Sequence, residues 1–162
     1  MDLYLIRHAE ARALDESGVE RDEDRSLTEE GEAHARRIAM GMQQRGIQVG
    51  GTLLTSPLLR ARQTAEGMLR HWPDLAPKMQ ECGELAPGVK PKKLARFLRS
   101  LGTSSLGLVG HMPDLAEFLG WLIGSRKAQI DMAKAGVAYV TCEDVRKGDG
   151  TLQWLVTPEW FG

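Results

Sequence analysis

Leu3-Tyr4-Leu5-Ile6, followed at once by Arg7-His8, is the stretch on which the fold of this chain turns. Four consecutive apolar residues, too few for a buried helix, read as a strand covered on both faces, the signature of a parallel sheet packed between helices. The pattern returns weakly at Leu53-Leu54 and fully at Leu106-Gly107-Leu108-Val109. Apolar residues at helical spacing predict a helix over about 29–45, with Ala35, Ile38, Ala39 and Met42 on one face. Ser26 or Thr28 is placed to cap it and Gly46 to end it. A second helix is expected to open at Ser56-Pro57, a cap followed by proline, and to stop at Trp72-Pro73. Two more follow, one over 92–100 after Pro91 and one from Met112-Pro113-Asp114, with Leu115, Phe118, Leu119 and Leu122 as its stripe. Near the C-terminus, 137–141 and 152–156 read as two strands around Lys147-Gly148-Asp149-Gly150. Strands alternating with helices imply an α/β, three-layer doubly wound, mostly parallel sheet with helices on both faces and an antiparallel edge strand near the C-terminus.

The remaining bulk properties set boundaries. A length of 162 residues suits one domain over 1–162, and 42% hydrophobic with 27% charged residues is the composition of a globular protein. Twenty-one basic against 22 acidic side chains leave a net charge of -1, too little positive field for general nucleic-acid or membrane binding. Any anion site must therefore be local. Cys82 and Cys142 suit two unpaired thiols in a reducing compartment, with a single bridge as the alternative. The short apolar run at the start does not make a signal peptide, no stretch matches a membrane span, and the expected location is the cytoplasm.

Ligands in a doubly wound sheet bind outside the carboxyl ends of the strands. Arg7 and His8 follow the first apolar run, Thr55 and Ser56 the second with Arg60 close behind, and Gly110 and His111 the third. Two arginines and two histidines thus come to one edge of the sheet. Guanidinium forks match the oxygens of phosphate or sulfate, and nearby helix N-termini add backbone N–H groups. A neutral histidine in such a pocket is a competent nucleophile toward phosphorus, and fixed positive charge would stabilise the transition state with no metal and no cofactor. His34 and His71 read as surface or structural residues. The charged loop over 9–26, unusually long, is either functional or a plain solvated connection.

Leu5-Ile6-Arg7-His8-Ala9-Glu10 resembles the signature of the histidine phosphatase (phosphoglycerate mutase-like) superfamily, with Ala9 in place of the usual glycine as in its SixA-like branch. Arg25-Ser26-Leu27-Thr28-Glu29-Glu30-Gly31, Thr55-Ser56-Pro57-Leu58-Leu59-Arg60-Ala61-Arg62-Gln63-Thr64-Ala65 and Val109-Gly110-His111-Met112-Pro113-Asp114 continue the likeness in family order. Ser26 stands where proline is common, and the tail beyond Ile123 carries no matching motif. The resemblance implies His8 as the phosphate-accepting nucleophile, with Arg7, Arg60 and His111 completing the pocket. It further implies phosphohistidine on a protein as substrate, such as a histidine-containing phosphotransfer domain.

Arg25, Ser56 and Glu84 are additional candidates for substrate binding. Glu81 and Glu84 are the candidates for an acid, Glu84 reading as more structural than catalytic. At this length there is little room for a covering cap, so the pocket is expected to lie open to a side chain presented by another protein. A broader phosphoesterase using the same pocket and a phosphoprotein-binding adaptor are the rival readings.

Overall fold

Every residue of the run Leu3 to Ile6 is buried, and β1 (Asp2–Arg7) lies inside a six-stranded sheet. The computed structural model describes residues 1–15, 18–72, 77–125 and 127–162. Its strands are β1, β2 (Thr52–Thr55), β3 (Lys78–Glu81), β4 (Ser105–Gly110), β5 (Val137–Cys142) and β6 (Gly150–Val156), in the spatial order β3-β2-β4-β1-β5-β6. The first four run parallel, while β5 pairs antiparallel with both β1 and β6. The antiparallel strand expected near the C-terminus is therefore β5, one place in from the edge, and β6 forms the edge itself.

Alternation along β1 sorts the core into two layers. Leu3 and Leu5 pack with Leu94, Leu98, Phe118 and Leu122, under α3 (Pro91–Ser100) and α4 (Asp114–Leu122). Tyr4 and Ile6 face Ile38, Met42, Ala65 and Met68, from α1 (Glu29–Gln44) and α2 (Leu59–Leu69) on the other side. Burying one such leucine or methionine is worth about 1.5–3 kcal/mol, so each helix is held by its apolar stripe rather than by propensity. No helix among the described residues is long and apolar enough to cross a membrane.

Two local expectations are corrected. Ser56 does not cap α2, which begins at Leu59 with Leu58 at the cap position and no side-chain cap bond. The Ser56 hydroxyl is turned inward instead, as described below. β3 has no counterpart in the sequence reading, because Lys-Met-Gln-Glu on a solvated edge presents no apolar run. Of the two proposed caps for α1, Thr28 is the one used, its hydroxyl accepting from Gly31 N at 3.0 Å. The proline expected to stop α2, Pro73, lies outside the described residues.

Candidate active site

Strand register brings the polar residues together. Arg7 pairs with Gly110 across β1 and β4, and the next amide, His8 N–H, donates to the Gly110 carbonyl at 3.0 Å. On the far side of β4, Ser56 N–H donates to Val109 O at 2.9 Å. His8, Ser56 and His111 therefore leave three adjacent strands at the same level. The His8 and His111 rings lie 5.1 Å apart between centroids, tilted by 54°.

The two imidazoles are held in different ways. His8 Nδ1 lies 2.7 Å from the Ala9 carbonyl, which only accepts, so Nδ1 carries the proton and Nε2 keeps its lone pair. His8 is pushed down to about 4, chiefly by burial, which outweighs the Ala9 bond and is reinforced by the guanidiniums of Arg60, Arg7 and Arg25. His111, only 3% exposed, shares a 2.7 Å hydrogen bond between Nε2 and Ser56 Oγ. Burial, followed by His8 and Arg60, pushes it down to about 3 against the opposing pull of Asp22. Both rings are neutral at physiological pH.

Arginines surround this pair. Arg7 Nη1 donates to the Met132 carbonyl at 2.6 Å, a contact from the segment leading into β5. Arg60, 5% exposed, donates from Nη1 to the Asp22 carbonyl at 2.8 Å and from Nη2 to Asp22 Oδ2 at 3.1 Å. The other oxygen of that carboxylate, Oδ1, lies 3.1 Å from Arg25 Nη1. Burial alone would raise Asp22, but hydrogen bonds from Arg25 and Arg60 hold it below the usual carboxylate range. Buried polar atoms nearly always find a partner, yet Arg7 Nε, Arg60 Nε and His111 Nδ1 are buried with none, a condition that Arg62 Nε shares.

The surrounding motif residues brace the frame. Ala9 N–H donates to Thr64 Oγ1, and Leu27 N–H to Gln63 Oε1, tying both ends of the long loop to α2. Gly31 is needed because a Cβ there would stand 2.1 Å from the Glu10 carbonyl oxygen. Ala9 has an ordinary negative φ, so alanine fits where the family signature has glycine.

The structure brings Arg7, His8, Arg60 and His111 to one edge of the sheet. Of the weaker candidates, Arg25 reaches the group through Asp22. Ser56 is fully buried, with its hydroxyl 2.7 Å from His111 Nε2. Glu84, paired with the Cys82 thiol at 3.7 Å, borders a small cavity that His111 also lines. His34 and His71 lie away from this edge, on the α1 and α2 side. Asp22 and the Met132 carbonyl were missed. Asp22 was one acid among many in a charged loop, and a backbone carbonyl leaves no signal in a sequence.

Comparisons with known proteins agree with this geometry. The histidine phosphatase superfamily (branch 1) matches residues 3–87, which hold the first three motif segments but not His111. An uncharacterized protein of Picosynechococcus sp. (strain ATCC 27264 / PCC 7002 / PR-6) is 36% identical, over 99% of each chain. The structure of the protein histidine phosphatase SixA complexed with tungstate superimposes with a TM-score of 0.84 at 26% identity, covering 100% of both chains. A protein of Agrobacterium tumefaciens that carries the SixA name matches at 24% identity and TM-score 0.79 over 97% of each chain, a likeness that shows the fold alone.

Proposed function

The chain belongs to the histidine phosphatase superfamily, and from that premise we propose that it hydrolyses phosphohistidine on a protein, with His8 as the nucleophile. One observation carries the reading: His8 Nε2 holds a free lone pair beside three buried, unpartnered nitrogens of Arg7, Arg60 and His111. A tetrahedral oxyanion is the ligand such a set fits. Tungstate, bound by the SixA protein of similar fold, has that shape.

In the first step the Nε2 lone pair attacks phosphorus, and the bond from phosphorus to the substrate's imidazole nitrogen breaks. The departing nitrogen keeps that electron pair, while the substrate ring's other nitrogen carries the proton that leaves it neutral. Positive charge then grows on the His8 ring, and the Ala9 carbonyl accepting from Nδ1–H stabilises it. Water attacks the phosphorus of the intermediate, releasing inorganic phosphate and restoring neutral His8. Arg7, Arg60 and His111 hold the equatorial oxygens throughout, where spread negative charge is the main thing to stabilise. Ser56 Oγ accepts from Leu58 N at 3.3 Å, leaving its own proton for His111 Nε2. The His111 proton then sits on Nδ1, where it can donate to a phosphoryl oxygen.

The leaving group supports a phosphohistidine substrate. An alkoxide needs a positioned acid, worth about 10²–10⁴-fold, whereas imidazole leaves without one. Asp22, the carboxylate facing the arginines, is held ionised and has no proton to give.

The test is turnover of a phosphorylated histidine-containing phosphotransfer protein, with p-nitrophenyl phosphate and small esters alongside. His8→Ala is expected to lose at least about 10³-fold in rate and to leave no acid-labile phosphate on the quenched enzyme. A folded His8→Ala protein with full turnover overturns the reading. A flat substrate profile assigns a broader phosphoesterase instead.

A further inference from the structure

Arg60 cannot turn away from its partner. It is buried, and both of its terminal nitrogens are engaged by Asp22, one through the main-chain carbonyl and one through the carboxylate. The Asp22 side chain, by contrast, is 48% exposed, on a short 3-10 turn (Asp22–Asp24) with no buried residues. The same carboxylate joins Arg25 to Arg60 through its two oxygens, as a phosphate bridging two guanidiniums would. An oxyanion that takes the Arg60 fork must therefore move the turn.

We propose that Asp22 is an autoinhibitory contact, an internal anion on the Arg60 fork that competes with the phosphoryl group for those two nitrogens. The inference rests on the reading that the site binds a phosphoryl group at His8. Inorganic phosphate or a small ester has only its own oxygens with which to displace the carboxylate. A phosphoprotein meets the same displacement cost, so the competition lowers the affinity of every ligand that takes the fork by one common factor. The base of the loop stays anchored when the turn moves, because Ala11 and Leu27 form a β-bridge and Arg12 N–H donates to Ser26 O.

Asp22→Asn removes the charge at nearly constant shape, and Asp22→Ala removes the carboxylate altogether. Both act at an exposed side chain. Inorganic phosphate is expected to inhibit either variant at about tenfold lower concentration than the wild type. Unchanged or weaker phosphate inhibition overturns the proposal and makes Asp22 a support that positions Arg60. Failure of the functional reading is distinguishable, because it would appear as turnover that does not depend on His8 in the wild-type background.

Discussion

The rim of strand ends and the long loop that faces it both carry arginines to one anion, but they hold them differently. On the rim, Arg60 sits buried at the start of α2 and Arg7 ends β1, each with a buried nitrogen left unpartnered. On the loop, Arg25 is satisfied by its own neighbourhood, with Nη1 on Asp22 and Nε on the Arg12 carbonyl. Unsatisfied donors in a rigid frame are prepared for a ligand, whereas satisfied donors on an exposed turn must first be released. The difference assigns binding strength to the rim and competition for that binding to the loop.

Replacing one arginine from each region is the most direct way to break that comparison. Arg60→Ala is expected to lower kcat by about 10²–10³-fold, the effect of removing one preorganised oxyanion donor. Arg25→Ala is expected to lower it by about tenfold or less, because its Nη1 and Nε are already engaged by Asp22 and the Arg12 carbonyl. Steady-state rates on the phosphohistidine carrier decide the matter. Equal losses would show that the loop is part of the rigid frame.

The same contrast is sharpened by titrating His8. An ordinary histidine is half protonated near pH 6.5, but the folded protein holds His8 near 4, first by burial and then by its three arginines. The sign follows from the charged form being the disfavoured one, so the ring stays neutral and nucleophilic from alkaline pH down to about pH 5. The ring resonances of His8, followed by NMR from pH 8 to pH 3, are expected to move with a midpoint near 4. Arg60→Ala should raise that midpoint more than Arg25→Ala. A wild-type midpoint at 6.5 would mean that solvent reaches the ring freely.

The rim was legible in the sequence because burial fixes it. Leu3 to Ile6 and Leu106 to Val109 could only be strands covered on both faces, so whatever followed them had to emerge at one edge. Arg7, His8 and His111 were located by that logic, and Arg60 by its place just beyond β2. The loop was not legible, since its order comes from charge pairs and backbone contacts between residues distant in the chain. Nothing in the order of acids from Asp15 to Asp24 singles out Asp22, and β3 escaped notice because an edge strand of Lys, Gln and Glu carries no apolar pattern. Ser56 failed for a different reason. Serine before proline is a common helix start, but here the hydroxyl has a nearby imidazole to bind and the helix begins three residues later.

Ser56 provides the finest test of the comparison, because it belongs to the rim without facing the anion. Its hydroxyl, 2.7 Å from His111 Nε2, is in position to select which ring nitrogen bears the proton. Ser56→Ala frees Nε2 to take that proton and strips it from Nδ1, the nitrogen assigned to the phosphoryl oxygen. The expected loss is about tenfold in kcat, matching about 1.4 kcal/mol, with KM for the phosphoprotein little altered. A merely structural role would lower thermal stability and leave the ring alone. The 15N shifts of His111 separate the two, since exchange of the bare and protonated nitrogens appears only if the hydroxyl selects the tautomer. If the shifts and kcat both stay at wild-type values, the rim's rigidity does not extend to the proton on His111, and Nδ1 is not the donor.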